Sequence, residues 1–166
     1  PYTEELRSVL NLTNTREAFD EIVSWKGYKV THLLSLGDIA SKINVKKIYY
    51  KDESSRFGLG SFKALGGAYG VLKFLHDMLK KEIGSKVSLE DIRNGKYRKI
   101  VSKYTVATAT DGNHGRSVAF GANLFGCKCQ IYVHSEVSKG RQEAMERLNA
   151  NVIRVNGNYY ESVNIC

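Results

Sequence analysis

Proline is nearly missing from this sequence: the single one is Pro1, in a chain of 166 residues that holds 15 glycines. Turns therefore fall to glycine, which lacks a Cβ and reaches backbone conformations closed to other residues. Long apolar runs are missing too, and nothing approaches the roughly 18 residues of a membrane span. No secretory leader is visible in residues 1–25, where charges recur through every turn. Cysteine is scarce and odd in number, at three. Cys127 and Cys129 flank one residue and share a face if that stretch is a strand. No second cluster supplies the about four ligands of a closed metal site, so no bound metal is expected. Reduced thiols on a buried strand, in a cytoplasmic location, are the reading that follows. Nucleotide-binding loops are absent as well: no Gly-x-x-x-x-Gly-Lys-Ser/Thr and no Gly-x-Gly-x-x-Gly follows a strand.

Acidic residues are outnumbered, 17 against 25 Lys and Arg, for a net charge of +8. The surplus is densest from Lys80 to Lys103, with Lys80, Lys81, Lys86, Arg93, Lys96, Arg98, Lys99 and Lys103 against Glu82, Glu90 and Asp91. Such a stretch attracts nucleic acid or steers anionic ligands. Aromatics are few there and no groove-entering motif is present, so a solvated surface is favoured over nucleic-acid binding. What is there in quantity is apolar: 42% of residues, enough to exclude disorder and to build the core of one ordinary domain.

Along the chain, Asn14 followed by Glu17 resembles a capping pair before a helix over Arg16–Trp25. Leu33, Leu36, Ile39, Ala40 and Ile43 predict a second short helix, and Val45–Lys51 a strand. Phe57–Gly60 reads as a loop, with Ser61 as N-cap of a long helix from Phe62 to Lys80. Gly66, Gly67 and Gly70 lie inside that helix at a cost of ~1 kcal/mol each, which predicts close packing there. Ser88 and Asp91 open a brief helix before the Asn94-Gly95 turn. Then come strand Tyr104–Thr108, helix Asn113–Phe125, strand Cys129–Val133, helix Ser138–Leu148 and strand Asn151–Val155. Asn158 to Val163 reads as the start of a further helix. This β-α-β-α-β order predicts a parallel, doubly wound sheet, with ligands bound beyond the carboxyl ends of its strands.

Chemistry concentrates in two segments. The first is Lys51-Asp52-Glu53-Ser54-Ser55-Arg56-Phe57-Gly58-Leu59-Gly60-Ser61-Phe62-Lys63-Ala64-Leu65-Gly66-Gly67. Lys63 falls in the first turn of the predicted helix, where the dipole disfavours an ammonium. Phe62, Ala64, Leu65 and the paired glycines predict partial burial, which disfavours the charge further and leaves a nucleophilic amine. The second is Thr110-Asp111-Gly112-Asn113-His114-Gly115. Gly112 and Gly115 are expected to allow unusual backbone angles and close approach of a ligand. The N–H groups of a helix start form an anion site, and Asn113 offers both donor and acceptor. Asp111 reads either as a helix cap or as a proton acceptor beside that site. His114 reads more readily as a structural donor than as a catalyst.

These two segments resemble the fold-type II pyridoxal phosphate enzymes, the group containing threonine dehydratase and cysteine synthase. The Lys51–Gly67 segment matches the lysine segment of the diaminopropionate ammonia-lyase family most fully, and Thr110–Gly115 is similar to its asparagine loop. Weaker similarity runs from Ser24-Trp25-Lys26-Gly27-Tyr28 to Asn156-Gly157-Asn158-Tyr159, so most of the chain is covered. The acid at position 111 narrows the choice, because the commoner relatives carry a small residue there. The resemblance implies an α/β fold, three-layer with a parallel twisted sheet (the architecture of the tryptophan synthase β-subunit), incomplete in this chain. Residues 1–57 would be the N-terminal portion of a larger domain and 58–166 most of a smaller one.

The resemblance also implies pyridoxal 5′-phosphate as cofactor, held covalently by Lys63, with Asn113 bonding the 3′-oxygen of its ring. The backbone around Gly112, Asn113 and His114 would receive the substrate carboxylate. Lys63 would act as base for the L-isomer of 2,3-diaminopropionate and Asp111 for the D-isomer, giving pyruvate and ammonia. A homodimer is implied. Members are considerably longer, and their phosphate cradle and the residue facing the pyridine nitrogen lie beyond Cys166, which implies weak cofactor retention and little activity for these residues alone. The family usually has proline where His32 and His134 stand, glycine at Asn149 and an acid at Tyr160, departures that touch turns and packing. Two alternatives stay open: a serine or threonine dehydratase using the same cofactor, and a non-catalytic basic fragment that binds anions or nucleic acid.

Overall fold

A computed structural model describes residues 2–84 and 86–166. Helices α1 (Glu4–Val9) and α2 (Leu12–Val23) come first. Strand β1 (Leu33–Ser35), helix α3 (Gly37–Lys42) and strand β2 (Tyr49–Lys51) follow, then a single 3-10 turn at Arg56–Gly58. The long helix α4 (Lys63–Ile83) leads to two short helices, α5 (Leu89–Arg93) and α6 (Arg98–Val101). The remainder alternates: β3 (Thr105–Ala109), α7 (Asn113–Phe125), β4 (Lys128–His134), α8 (Lys139–Glu146), β5 (Asn151–Val155) and α9 (Tyr159–Ile165).

The sheet is parallel in the order β3-β4-β5, with Thr105 opposite Lys128 and Gln130 opposite Asn151. Strand β3 is an edge of this sheet. On β4, Cys129, Ile131 and Val133 alternate as buried residues, the period-2 pattern of a half-covered strand. They meet the apolar stripe of α7, where Val118, Ala119, Ala122 and Phe125 are buried, and behind it Leu72, Leu75 and Leu79 of α4. Each such leucine removed from water contributes about 1.5–3 kcal/mol, which makes this layer the energetic centre of the fold.

Helices α4 and α7 approach too closely for side chains at their crossing. A Cβ on Gly67 would lie 2.5 Å from Ser117 Oγ, and one on Gly121 would lie 2.7 Å from Ala68 Cα. The Ser117 hydroxyl accepts from the Ala68 N–H at 3.1 Å across the same contact. Close packing is thus the reason for Gly67. It is not the reason for Gly66 or Gly70, where an added Cβ would meet nothing within 4 Å.

Elements after Tyr104 fall within two residues of the ranges read from the sequence; the earlier part differs more. Helix α2 begins at Leu12, because Asn11 rather than Asn14 caps it, accepting from the Asn14 N–H at 2.8 Å. Leu33–Ser35 is extended, not helical: it pairs antiparallel with Tyr49–Lys51, and this partner, distant in sequence, outweighs the local helical spacing. Only Tyr49–Lys51 of the predicted strand Val45–Lys51 is paired. The long helix starts at Lys63, with Phe62 in the N-cap position and no side-chain cap; Ser61 Oγ accepts from the Lys63 N–H at 3.2 Å.

The stretch between β2 and α4 is fixed by a buried guanidinium. Arg56 donates from Nε to Glu53 Oε2 at 2.7 Å, from Nη1 to the Lys29 carbonyl at 2.9 Å and from Nη2 to Thr31 Oγ1 at 3.0 Å. Phe57 follows in the left-handed region at φ 48°, unusual for a bulky residue. Its ring compensates by packing against Trp25 (5.9 Å between centroids) and Phe120 (5.3 Å), which ties the N-terminal segment to α7.

Candidate active site

The carboxyl end of β3, the amino ends of α4, α7 and α9, and α8 converge on one cavity of about 560 Å³, within the range of ~300–1,000 Å³ usual for small-molecule sites. Lys63, Thr110, Asp111, Gly112, Asn113, His114, Arg141 and Tyr159 line it. Every residue singled out from the sequence, namely Lys63, Asp111, Gly112, Asn113 and His114, is therefore brought together, although Lys63 stands nearly fifty positions from the others.

Lys63 lies in the first turn of α4, as the spacing predicts, and is its first residue, so its amine hangs at the positive end of a 21-residue helix. The expected partial burial is not observed: Lys63 is exposed. Its apolar neighbours do not enclose it, because Phe62 turns outward at 65% exposure and Gly66 borders open space, while only Ala64 faces the core.

The turn from Thr110 to Gly115 is organised by a residue that the sequence reading passed over. Thr110 is buried, and its Oγ1 accepts from the N–H groups of Gly112 and Gly115, both at 3.2 Å. Among the described residues this leaves the Asn113 and His114 amides of the first turn of α7 without an intrachain acceptor, pointing the anion-binding capacity of the helix start at the cavity. Gly115 is required by packing, not by an unusual angle: a Cβ there would lie 2.4 Å from Thr110 Cγ2 and 2.8 Å from Met145 Sδ. Gly112 has an extended φ of 163°, and a Cβ there would meet Arg141 Cδ at an ordinary 3.5 Å.

Asp111 has two neighbours, one from the end of β4 and one from α8. Arg141 Nη1 donates to its backbone carbonyl at 3.3 Å, and His134 Nε2 lies 3.3 Å from its Oδ1. Arg141 adds a guanidinium to the cavity and Tyr159 a phenol. Both were missed by sequence reasoning. The signal that finds them is positional: ligands bind beyond the carboxyl ends of parallel strands, and applying this to β4 and β5 as well as β3 selects the segments 135–141 and 156–159.

The cysteines lie outside this cavity. Burial pushes the Cys127 thiol up to about 11 and the Cys129 thiol up to about 12, so neither is a ready nucleophile. Of the basic stretch, Arg93 pairs with Glu21 and Lys96 with Asp91, while Lys80, Lys81, Lys86, Lys99 and Lys103 are exposed. Among the described residues no helix is long and apolar enough to cross a membrane.

A parallel α/β unit thus brings an exposed amine and the free amides of a helix start to one strand-end cavity. The chain belongs to the pyridoxal-phosphate dependent enzyme family, whose model it matches over residues 25–166. It is 41% identical over 139 residues to diaminopropionate ammonia-lyase of Escherichia coli (strain K12), covering 84% of this chain and 34% of that protein. It is 30% identical over 155 residues to a probable D-serine dehydratase of Rhizobium etli (strain CIAT 652), covering 89% of this chain and 34% of that protein. The crystal structure of selenomethionine-incorporated holo diaminopropionate ammonia lyase from Escherichia coli superposes with a TM-score of 0.80 at 38% identity, covering 93% of this chain and 38% of that one. The chain thus spans about a third of the length of the curated relatives it matches.

Proposed function

We propose that this chain carries the lysine, carboxylate and anion-binding turn of a pyridoxal phosphate enzyme that eliminates ammonia from 2,3-diaminopropionate. The observation that supports it is the convergence of Lys63 and Asp111 on one cavity with Asn113 and the first amides of α7. The donor set fits the cofactor. Lys63 offers an exposed amine for its aldehyde, and the Asn113 side chain suits a phenolic ring oxygen. When bound, the cofactor supplies an electron sink for the pair of electrons left on the substrate α-carbon.

The remaining work belongs to side chains and amides of this chain. The Asn113 and His114 N–H groups receive the substrate carboxylate, and the Arg141 guanidinium adds positive charge at the same wall. The Lys63 amine, besides holding the cofactor, would accept the α-proton of the L-isomer. Asp111 accepts it from the D-isomer. The β-amino group leaves as ammonia, and the released enamine takes up one water to give pyruvate and a second ammonia. In this reading residues 1–57 belong to a larger domain and 58–166 to a smaller one, in a cytoplasmic homodimer.

A second reading, dehydration of serine, draws on the 30% identity to the probable D-serine dehydratase. Product stoichiometry in the protein as encoded separates the two. Diaminopropionate yields two ammonia per pyruvate, whereas serine yields one. Turnover of serine with none of diaminopropionate overturns the first reading, and no turnover of either overturns both.

A further inference from the structure

Asp111 is 57% exposed and sits on a turn, where a carboxylate left to itself samples several orientations. A base that must meet one particular proton gains from being held. The end of β4 supplies a holder. His134 Nε2 lies 3.3 Å from Asp111 Oδ1, and the imidazole is itself 17% exposed. Its other nitrogen, Nδ1, accepts from the Glu136 N–H at 3.3 Å. That contact assigns the tautomer: with Nδ1 accepting, a neutral ring carries its proton on Nε2, the nitrogen nearer Asp111.

We propose that His134 is a positioning residue for Asp111, fixing the carboxylate through an Nε2–H to Oδ1 hydrogen bond and leaving Oδ2 for the proton of the D-isomer. This rests on the role given to Asp111 above. The ring's own backbone is held from a third side, since Arg154 Nη1 donates to the carbonyls of His134 at 3.4 Å and Ser135 at 2.7 Å. Arg141 meanwhile fixes the Asp111 backbone carbonyl. The carboxylate is thus anchored at main chain and at one oxygen by groups from α8 and β4, elements that do not contribute Lys63. The arrangement acts on one proton acceptor of the cavity and not on the other.

Two measurements on the protein as encoded test this. In the proton NMR spectrum of ring-15N-histidine protein, the His134 Nε2–H should be visible and slowly exchanging, and Asp111→Ala should abolish it. In kinetics, His134→Ala should lower kcat for the D-isomer about tenfold with KM little changed, leave the L-isomer rate within about twofold, and be rescued by His134→Gln, whose amide can still donate. The L-isomer rate reports whether the variant has folded. Absence of the bonded proton in the unsubstituted protein, or equal losses on both isomers, overturns the proposal. An enzyme inert to both isomers refutes the proposed function instead, while the NMR signal still decides whether the pair exists: present, the holder stands without its substrate; absent, it falls too.

Discussion

The Arg56 guanidinium grips the Glu53 carboxylate through two parallel hydrogen bonds, Nε to Oε2 at 2.7 Å and Nη2 to Oε1 at 3.0 Å. Thr31 Oγ1 donates to the same carboxylate at 2.6 Å and accepts from Arg56 in turn. Both charged side chains are largely buried, at 16% exposure for Glu53 and 5% for Arg56. This pair braces the connection that delivers Lys63 to the cavity.

Its stability contribution follows pH with a definite sign. The Arg56 hydrogen bond, against the opposing effect of burial, lowers the Glu53 carboxyl from 4.5 to about 2. A depressed folded-state value stabilises the fold fully above 4.5, and the contribution is lost as pH falls through that window toward about 2. Glu53→Gln should destabilise the protein by about 3 kcal/mol at neutral pH, since it leaves a buried guanidinium half-partnered. The gap between variant and parent in thermal melts should close below the window; a gap constant with pH refutes the coupling.

Lys63→Ala should remove covalent attachment of pyridoxal phosphate. Borohydride reduction followed by peptide mapping is expected to fix the label at Lys63 in the parent and nowhere in the variant. A label at another lysine would reassign the site.

Asp111→Asn keeps the size and the backbone contacts of the turn and removes the base. It should slow the D-isomer of 2,3-diaminopropionate by roughly a hundredfold more than the L-isomer. Equal effects on the two isomers would remove the role of Asp111 as the D-isomer base; it does not cap α7, whose N-cap is Gly112 with no side-chain cap bond.

The α4–α7 crossing predicts opposite outcomes for glycines of similar sequence context. Gly121→Ala forces a methyl to 2.7 Å from the Ala68 Cα, a backbone atom that cannot step aside. A loss of about 1–3 kcal/mol is expected. Gly66→Ala enters open space inside a helix and should stabilise by about 0.5–1 kcal/mol. Chemical denaturation of the two variants reads both.

Much of this was legible before any coordinates, and the reasons are local. From Thr105 onward, β4 alternates buried and open positions, and glycine turns such as Gly126 (φ 91°) punctuate the helices, so period and boundary agree there. Lys63 and Asn113 stood out because each follows a glycine turn at a helix start. What failed to show in the sequence depends on partners far along the chain. Leu33–Ser35 has helical spacing with Leu36 and Ile39, and only its pairing with Tyr49–Lys51 makes it a strand. The outward turn of Phe62 left Lys63 open despite an apolar neighbourhood. Thr110, His134 and Arg141 looked like ordinary turn and surface residues, and parallel strand order alone gathers them around Asp111.

The border position of β3 carries a practical warning for anyone handling these 166 residues by themselves. Thr105–Ala109 bears no charge or proline along its unoccupied rim, and natural proteins use such features to repel unwanted neighbours. Concentrated solutions should therefore oligomerise by adding extended segments to that rim, and a lysine introduced at Ala107, which is exposed, is the simplest deterrent.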